Sequence, residues 1–175
     1  MRRIILFVLL VLVVVGCQKE EPKPQYQIPS RPMQMERDLK LARDAVKADP
    51  KNMNAWIQLG NISMDMAHYE EAIDAYQKAL EIDPKNADVR VDMGTCYRNI
   101  HKSDIALKEY RKALETNPNH AMGHLNTAIV LAYDLDDKAQ AIKEFEKYLQ
   151  IVPNAPDAAQ VRREIEKLEI SGQRK

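Results

Sequence analysis

The sequence predicts an all-α fold, a stack of helix-turn-helix repeats with eight helices, and three observations predict it. Pro50, Pro84, Pro118 and Pro153 recur at intervals of 34, 34 and 35 residues, each in a short turn sequence: DPKN, DPKN, NPNH and VPNA. A fixed period of this length marks one supersecondary unit stacked on copies of itself. Aligned on these prolines, small residues share columns (Gly60, Gly94 and Ala128; Ala72, Ala106 and Ala141; Ala79 and Ala113), and so do the rings of Tyr76, Tyr110 and Phe145. A small residue lets two helices approach, and a ring fills the space one turn away. Within each unit the apolar residues keep helical spacing, as in Ile73, Tyr76, Ala79 and Leu80, which marks amphipathic helices.

Residues 1–16 open with Arg2 and Arg3 and continue in twelve apolar residues, Ile4 to Val15. This matches the apolar region of a secretory signal, and it is too short to span a membrane, which takes about 20 apolar residues. The run ends Val14-Val15-Gly16-Cys17, which resembles the bacterial lipobox. That resemblance implies cleavage before Cys17, acylation of Cys17 and attachment of the exported protein to a membrane. In the lipoprotein family the next residue influences sorting, and Gln18 is not the inner-membrane aspartate, so the outer membrane, facing the periplasm, is expected. Residues 17–32 carry the lipidated cysteine and a proline-rich tether, QKEEPKPQYQIPSRP, with four of the nine prolines. At about 3.1 Å per residue such a segment reaches roughly 45 Å.

Residues 33–52 read as a helix B without a helix A before it, helical over 35–49, with Ala42, Ala45 and Pro50 in the repeat columns. Three units follow, 53–86, 87–120 and 121–155, the last with one extra residue in its inner turn. Helix A is expected over 53–66, 87–100 and 121–134, and helix B over 69–82, 103–116 and 138–151. Each helix B must stop before its closing proline, which disfavours helical backbone in the residue before it. Ser103 and Asp104 supply a capping start for the second helix B. Residues 156–175 form a capping helix and tail, helical over 157–170 with Ala158, Val161, Ile165 and Leu168 as its apolar stripe. Terminal helices of this kind keep a polar outer face so that the stack stays soluble.

These columns resemble the tetratricopeptide repeat, whose unit reads W-x2-L-G-x2-Y, then A-x3-F-x2-A, then P. The first unit carries Trp56, Leu59, Gly60, Ala72, Tyr76, Ala79 and Pro84, with Ser63 in the middle aromatic column. The second carries Gly94, Tyr97, Ala106, Tyr110, Ala113 and Pro118, with Arg90 for the tryptophan and Met93 for the leucine. The third keeps Ala128, Leu131, Ala141, Phe145 and Pro153 and places His124, Thr127 and Tyr148 at three other columns. The resemblance implies a right-handed superhelical stack whose helices A line a concave groove. Its contact columns are Asn54, Ile57, Asn61, Met64 and Asp65; Asp88, Val91, Thr95, Arg98 and Asn99; and Met122, Leu125, Ile129, Ala132 and Tyr133. Asparagine amides suit a ligand backbone, and methionines adapt to varied apolar side chains. The chaperone-tail clamp of this family takes lysine, asparagine, asparagine, lysine and arginine. Here those columns hold Ile57, Asn61, Asp92, Met122 and Asn126, so an acidic tail loses its cations and meets Asp92.

Composition narrows the function. The chain has 26 basic and 26 acidic residues; without Arg2 and Arg3, 24 basic residues remain, a net charge of about −2. Lysines alternate with glutamates, as in Lys108, Glu109, Arg111, Lys112 and Glu115, which argues against a nucleic-acid stripe. Cys17 and Cys96 are the two cysteines; with Cys17 lipidated no internal disulfide forms, and Cys96 reads as a small core residue. His120 and His124 share a helical face but lack the further ligands a metal needs. The five glycines are isolated, with no phosphate loop or nucleophile elbow. The expectation is a non-catalytic protein-binding scaffold at the bacterial cell envelope, without metal or cofactor, that serves assembly of an envelope complex of the secretin or type IV pilus kind. Two alternatives stand beside it: an accessory subunit of an envelope enzyme system, in cytochrome maturation or peptidoglycan turnover, and a protein that self-associates through its capping helices.

Overall fold

Proline spacing becomes helix spacing. The computed structural model describes residues 31–172, with eight helices and no strand among them. They are α1 (Arg31–Ala48), α2 (Met53–Asp65), α3 (Tyr69–Ile82), α4 (Ala87–Asn99), α5 (Ser103–Thr116), α6 (Ala121–Ile129), α7 (Lys138–Ile151) and α8 (Ala158–Gly172). The signal segment, Cys17 and the tether up to residue 30 lie outside the described residues. α1 begins four residues earlier than its periodicity predicts and takes in Arg31 and Pro32; proline fits the first turn because its missing N–H has no helical partner there.

Helices pair as α2 with α3, α4 with α5 and α6 with α7, while α1, α4, α6 and α8 each pack on the neighbouring unit. Three apolar clusters run along the stack. Leu39, Ala42 and Val46 of α1 meet Ala55, Leu59 and Ala75; Tyr76, Val89 and Cys96 join the first unit to the second; Tyr110, Leu131, Phe145, Val161 and Leu168 join the second, the third and α8. Ala45 of α1 is exposed, unlike Ala79 and Ala113 in the same column, because no helix A precedes α1 among the described residues.

The small and large columns meet as expected. A Cβ on Gly60 would lie 2.6 Å from Cδ1 of Tyr76, and one on Gly94 2.6 Å from Cε1 of Tyr110; both rings are buried. In the third unit Ala128 is accommodated, fully buried, beside Phe145.

Hydrogen bonds explain why other columns vary without loss. Trp56 Nε1, Arg90 Nη2 and His124 Nε2 donate to the carbonyls of Pro50, Pro84 and Pro118 at 2.9, 2.8 and 2.9 Å. Three unlike side chains therefore tie helix A to the preceding turn through the same N–H donor. Each helix A is capped alike: Asn52 and Asn86 accept from the N–H groups of Ala55 and Val89, and His120 Nδ1 accepts from Gly123. Such caps satisfy an otherwise unpaired first-turn donor.

Each inner turn closes with one left-handed residue, Ala67 (φ 58°), His101 (φ 59°) and Asp136 (φ 52°). The following N–H bonds back to Ser63, Tyr97 and Leu131 respectively, the pattern that satisfies the last carbonyls of a helix. The extra residue of the third unit is absorbed earlier than its inner turn: α6 widens into a π turn over Val130–Asp134. The expected cap at Ser103 does not form. Lys102 stands at the cap of α5 without a side-chain bond, and Ser103 Oγ instead donates to Asp134 Oδ2 at 2.9 Å.

Candidate partner-binding groove

Of the groove columns, Asn54, Asn61, Asp65, Asp88, Asn99, Met122 and Tyr133 are exposed, and Ile57, Met64, Thr95, Arg98 and Ile129 are half-buried. Val91, Leu125 and Ala132 lie in the core. Val91 and Ala132 therefore pack between helices, a correction to their place among the contact columns, and Leu125 reaches the groove only as part of its floor.

The polar columns are held from beneath. The Tyr76 hydroxyl donates to Asn61 Oδ1 at 2.8 Å, leaving the Asn61 amide nitrogen without a partner among the described residues. One unit on, Thr95 Oγ1 donates to the Val91 carbonyl and lies 3.2 Å from the Tyr110 hydroxyl, while Asn126 Nδ2 donates to Thr95. In the third unit Phe145 has no hydroxyl, and Ile129 stands in the Asn61 column. The groove floor thus turns apolar where the buried ring loses its oxygen.

At that apolar end Arg98, Leu125, Ile129 and Tyr133 come together in a cleft of about 370 Å³, with Asp157, just before α8, and Gln160, Val161 and Glu164 of α8 as its far wall. The sequence marks α8 as a capping helix and a candidate self-association surface, not as a wall of the groove. The spacing of Asp157, Val161 and Glu164 along one helical face is the signal that marks it. Arg98 is not a free contact: it forms a two-pronged pair with Asp134 at 2.8 and 3.2 Å, and its guanidinium holds the Asp134 carboxyl below the usual range. Glu164 is likewise held down by a hydrogen bond from Tyr133 and by Lys167.

Another stretch of the groove is acidic. Asp92 on α4 is half-buried, and burial first, then the nearby charge of Asp88, pushes its carboxyl up to about 6. Burial and the charge of Asp92 also raise the Tyr76 phenol, to which Asp65 adds.

The two histidines serve packing. His120 accepts at Nδ1 from Gly123, so Nε2 carries the proton that it donates to Asp88 Oδ1 at 2.8 Å. His124 bridges Glu144 Oε2 and the Pro118 carbonyl. No group of three or more potential metal ligands forms among the described residues. Cys96 is wholly buried and its thiol is pushed up to about 12, mainly by burial, which makes it a poor nucleophile.

Three helix-turn-helix units on a proline period, with a groove walled by their first helices, define the class: a tetratricopeptide-repeat protein, a scaffold for protein binding. Residues 29–159 match the family model of the cytochrome c-type biogenesis protein H TPR domain, and the chain belongs to that family. No curated protein sequence matches it. Among solved structures, the crystal structure of MamA is 20% identical, with 80% of this chain and 85% of that chain covered and a TM-score of 0.69. The first TPR domain of human RPAP3 is 23% identical over 71% of this chain and 98% of its own, with a TM-score of 0.65. The first TPR of Spaghetti (RPAP3), solved with the HSP90 peptide SRMEEVD, is 23% identical over 70% and 94%, with a TM-score of 0.63. Likeness at these identities shows the fold.

Proposed function

We propose that this protein is a non-catalytic scaffold of the bacterial envelope that holds a protein or peptide partner in its concave groove. The observation that carries the reading is the cleft at Arg98, Leu125, Ile129 and Tyr133, an apolar floor with polar walls, a lining that suits an amphipathic segment. Lipidation at Cys17 holds the scaffold to the membrane, facing the periplasm from the outer membrane, and the tether lets the stack stand off the surface. Of the pathways considered, maturation of c-type cytochromes is favoured over secretin or pilus assembly, because the matching family is described by cytochrome c-type biogenesis.

Crosslinking in intact cells, followed by capture of the full chain and mass spectrometry, tests this. The expected catch is a component of cytochrome maturation, and it disappears in a variant with Asn61→Glu and Tyr133→Glu that keeps its helicity by circular dichroism. Both positions are exposed. Undiminished capture by that variant overturns the groove reading; a secretin or pilus component in the catch overturns the pathway. Cys17→Ala tests the anchor separately, and unchanged membrane fractionation with unchanged lipid labelling contradicts it.

A further inference from the structure

Asp92 is an exception among the carboxylates. Glu71 meets Arg43 at 2.6 Å, Glu109 meets Arg90 and Lys112 at 2.8 and 2.7 Å, and Glu144 meets His124 at 2.6 Å. Asp83 and Asp137 accept from turn or cap N–H groups, Asp38 from Gln34, Asp157 from the Tyr148 hydroxyl, and Glu164 from Lys167. Every other half-buried or buried carboxylate among the described residues therefore has a donor. Asp92 is half-buried and accepts no hydrogen bond there, although leaving such a group unmatched costs stability.

His120 is the basic group whose charge acts on Asp92, and it is the smallest of the influences there. Asp88 stands one turn away on the same helix, and Asp65 lies across Tyr76 on α2. His120 uses its proton on Asp88. Arg98, a turn and a half further along α4, is committed to Asp134 by both prongs, and Ser103 shares that carboxylate. Asp65, Asp88 and Asp92 thus share this part of the groove with one imidazole, itself bonded to Asp88, while the apolar cleft lies further along the same trough.

We propose that the partner is a basic amphipathic segment, which places a lysine or arginine against Asp92 and Asp88 and lays its apolar face on Ile129 and Tyr133. An ammonium or guanidinium group brings both the N–H donors and the charge that Asp92 lacks. Acidic segments meet uncompensated carboxylates and are rejected. The inference rests on the groove reading above and adds the chemistry of what fills it.

The test uses the full chain and two labelled helical peptides of about 18 residues, long enough for five turns. They share one leucine-alanine face and carry lysines or glutamates on the other. Fluorescence anisotropy is expected to give the lysine peptide about tenfold tighter binding, weakened by added salt. Asp88→Asn with Asp92→Asn removes that preference, while Asp74→Asn, an exposed position on α3, leaves it in place. A glutamate peptide that binds as well, or a preference that survives the double variant, overturns the proposal. Equal binding of both peptides that Tyr133→Glu abolishes overturns the charge argument and leaves the groove reading standing. Absence of binding by either peptide also overturns the charge argument, and the crosslinked capture then judges the groove on its own.

Discussion

Replacing Asp92 with asparagine should make this protein more stable. Asparagine keeps the shape and removes the charge that the fold leaves unmatched. Raising the carboxyl from its ordinary value to about 6 corresponds to about 3 kcal/mol against the ionised fold. Because the group is only partly buried, solvent screening reduces the expected gain to about 1–2 kcal/mol at neutral pH. The sign is opposite to that of a salt-bridged carboxylate. The folded state binds the proton more tightly than the unfolded chain, so this contribution is greatest below about pH 4 and is lost as pH rises through about 6. Urea unfolding of both proteins between pH 4 and 8, followed by circular dichroism, should show the two curves separating between pH 4 and 6 and running parallel above it. An asparagine variant that is less stable at pH 7.5, or a gap that does not change with pH, refutes the reasoning. A second consequence is a trade: the variant that gains stability should lose affinity for a basic partner.

The remaining predictions concern the scaffold. Gly60→Ala drives a methyl into the Tyr76 ring and should cost about 1–3 kcal/mol by overpacking, read as a lower urea midpoint; an unchanged midpoint shows that the ring yields. Ala67→Gly relieves a side chain from the left-handed region and should raise stability by up to about 1 kcal/mol; a fall in melting temperature contradicts this. His120→Ala should cost about 1 kcal/mol through loss of the α6 cap, whereas His120→Asn should retain most of it, as Asn52 and Asn86 do; equal losses argue against capping.

How far the sequence reached depends on what each residue interacts with. Helix positions were legible because proline, the small columns and the rings act over one or two turns, and those constraints repeat. The shift of the extra residue into a π turn was not legible, since an inserted residue can be absorbed anywhere between Ala128 and Asp137 and the choice depends on packing against α7. Nor was the fate of Ser103, which prefers an aspartate 31 residues away over its own helix. In the groove, the contact columns locate the surface, but pairing decides which side chains are free. Arg98 looked available and is held by Asp134; Asn61 is half used by Tyr76. Asp92 was visible in sequence only as the wrong charge for a chaperone-tail clamp, and its lack of a partner emerges only when every neighbouring donor has been placed.

The most direct measurement is the titration of the Asp92 carboxyl carbon by NMR, free and with the lysine peptide bound. The free protein should show a midpoint near 6, and the complex should bring it back toward the ordinary value of about 4 or lower. A midpoint that stays where it is, or moves upward on binding, would contradict a groove that holds a basic partner at Asp92.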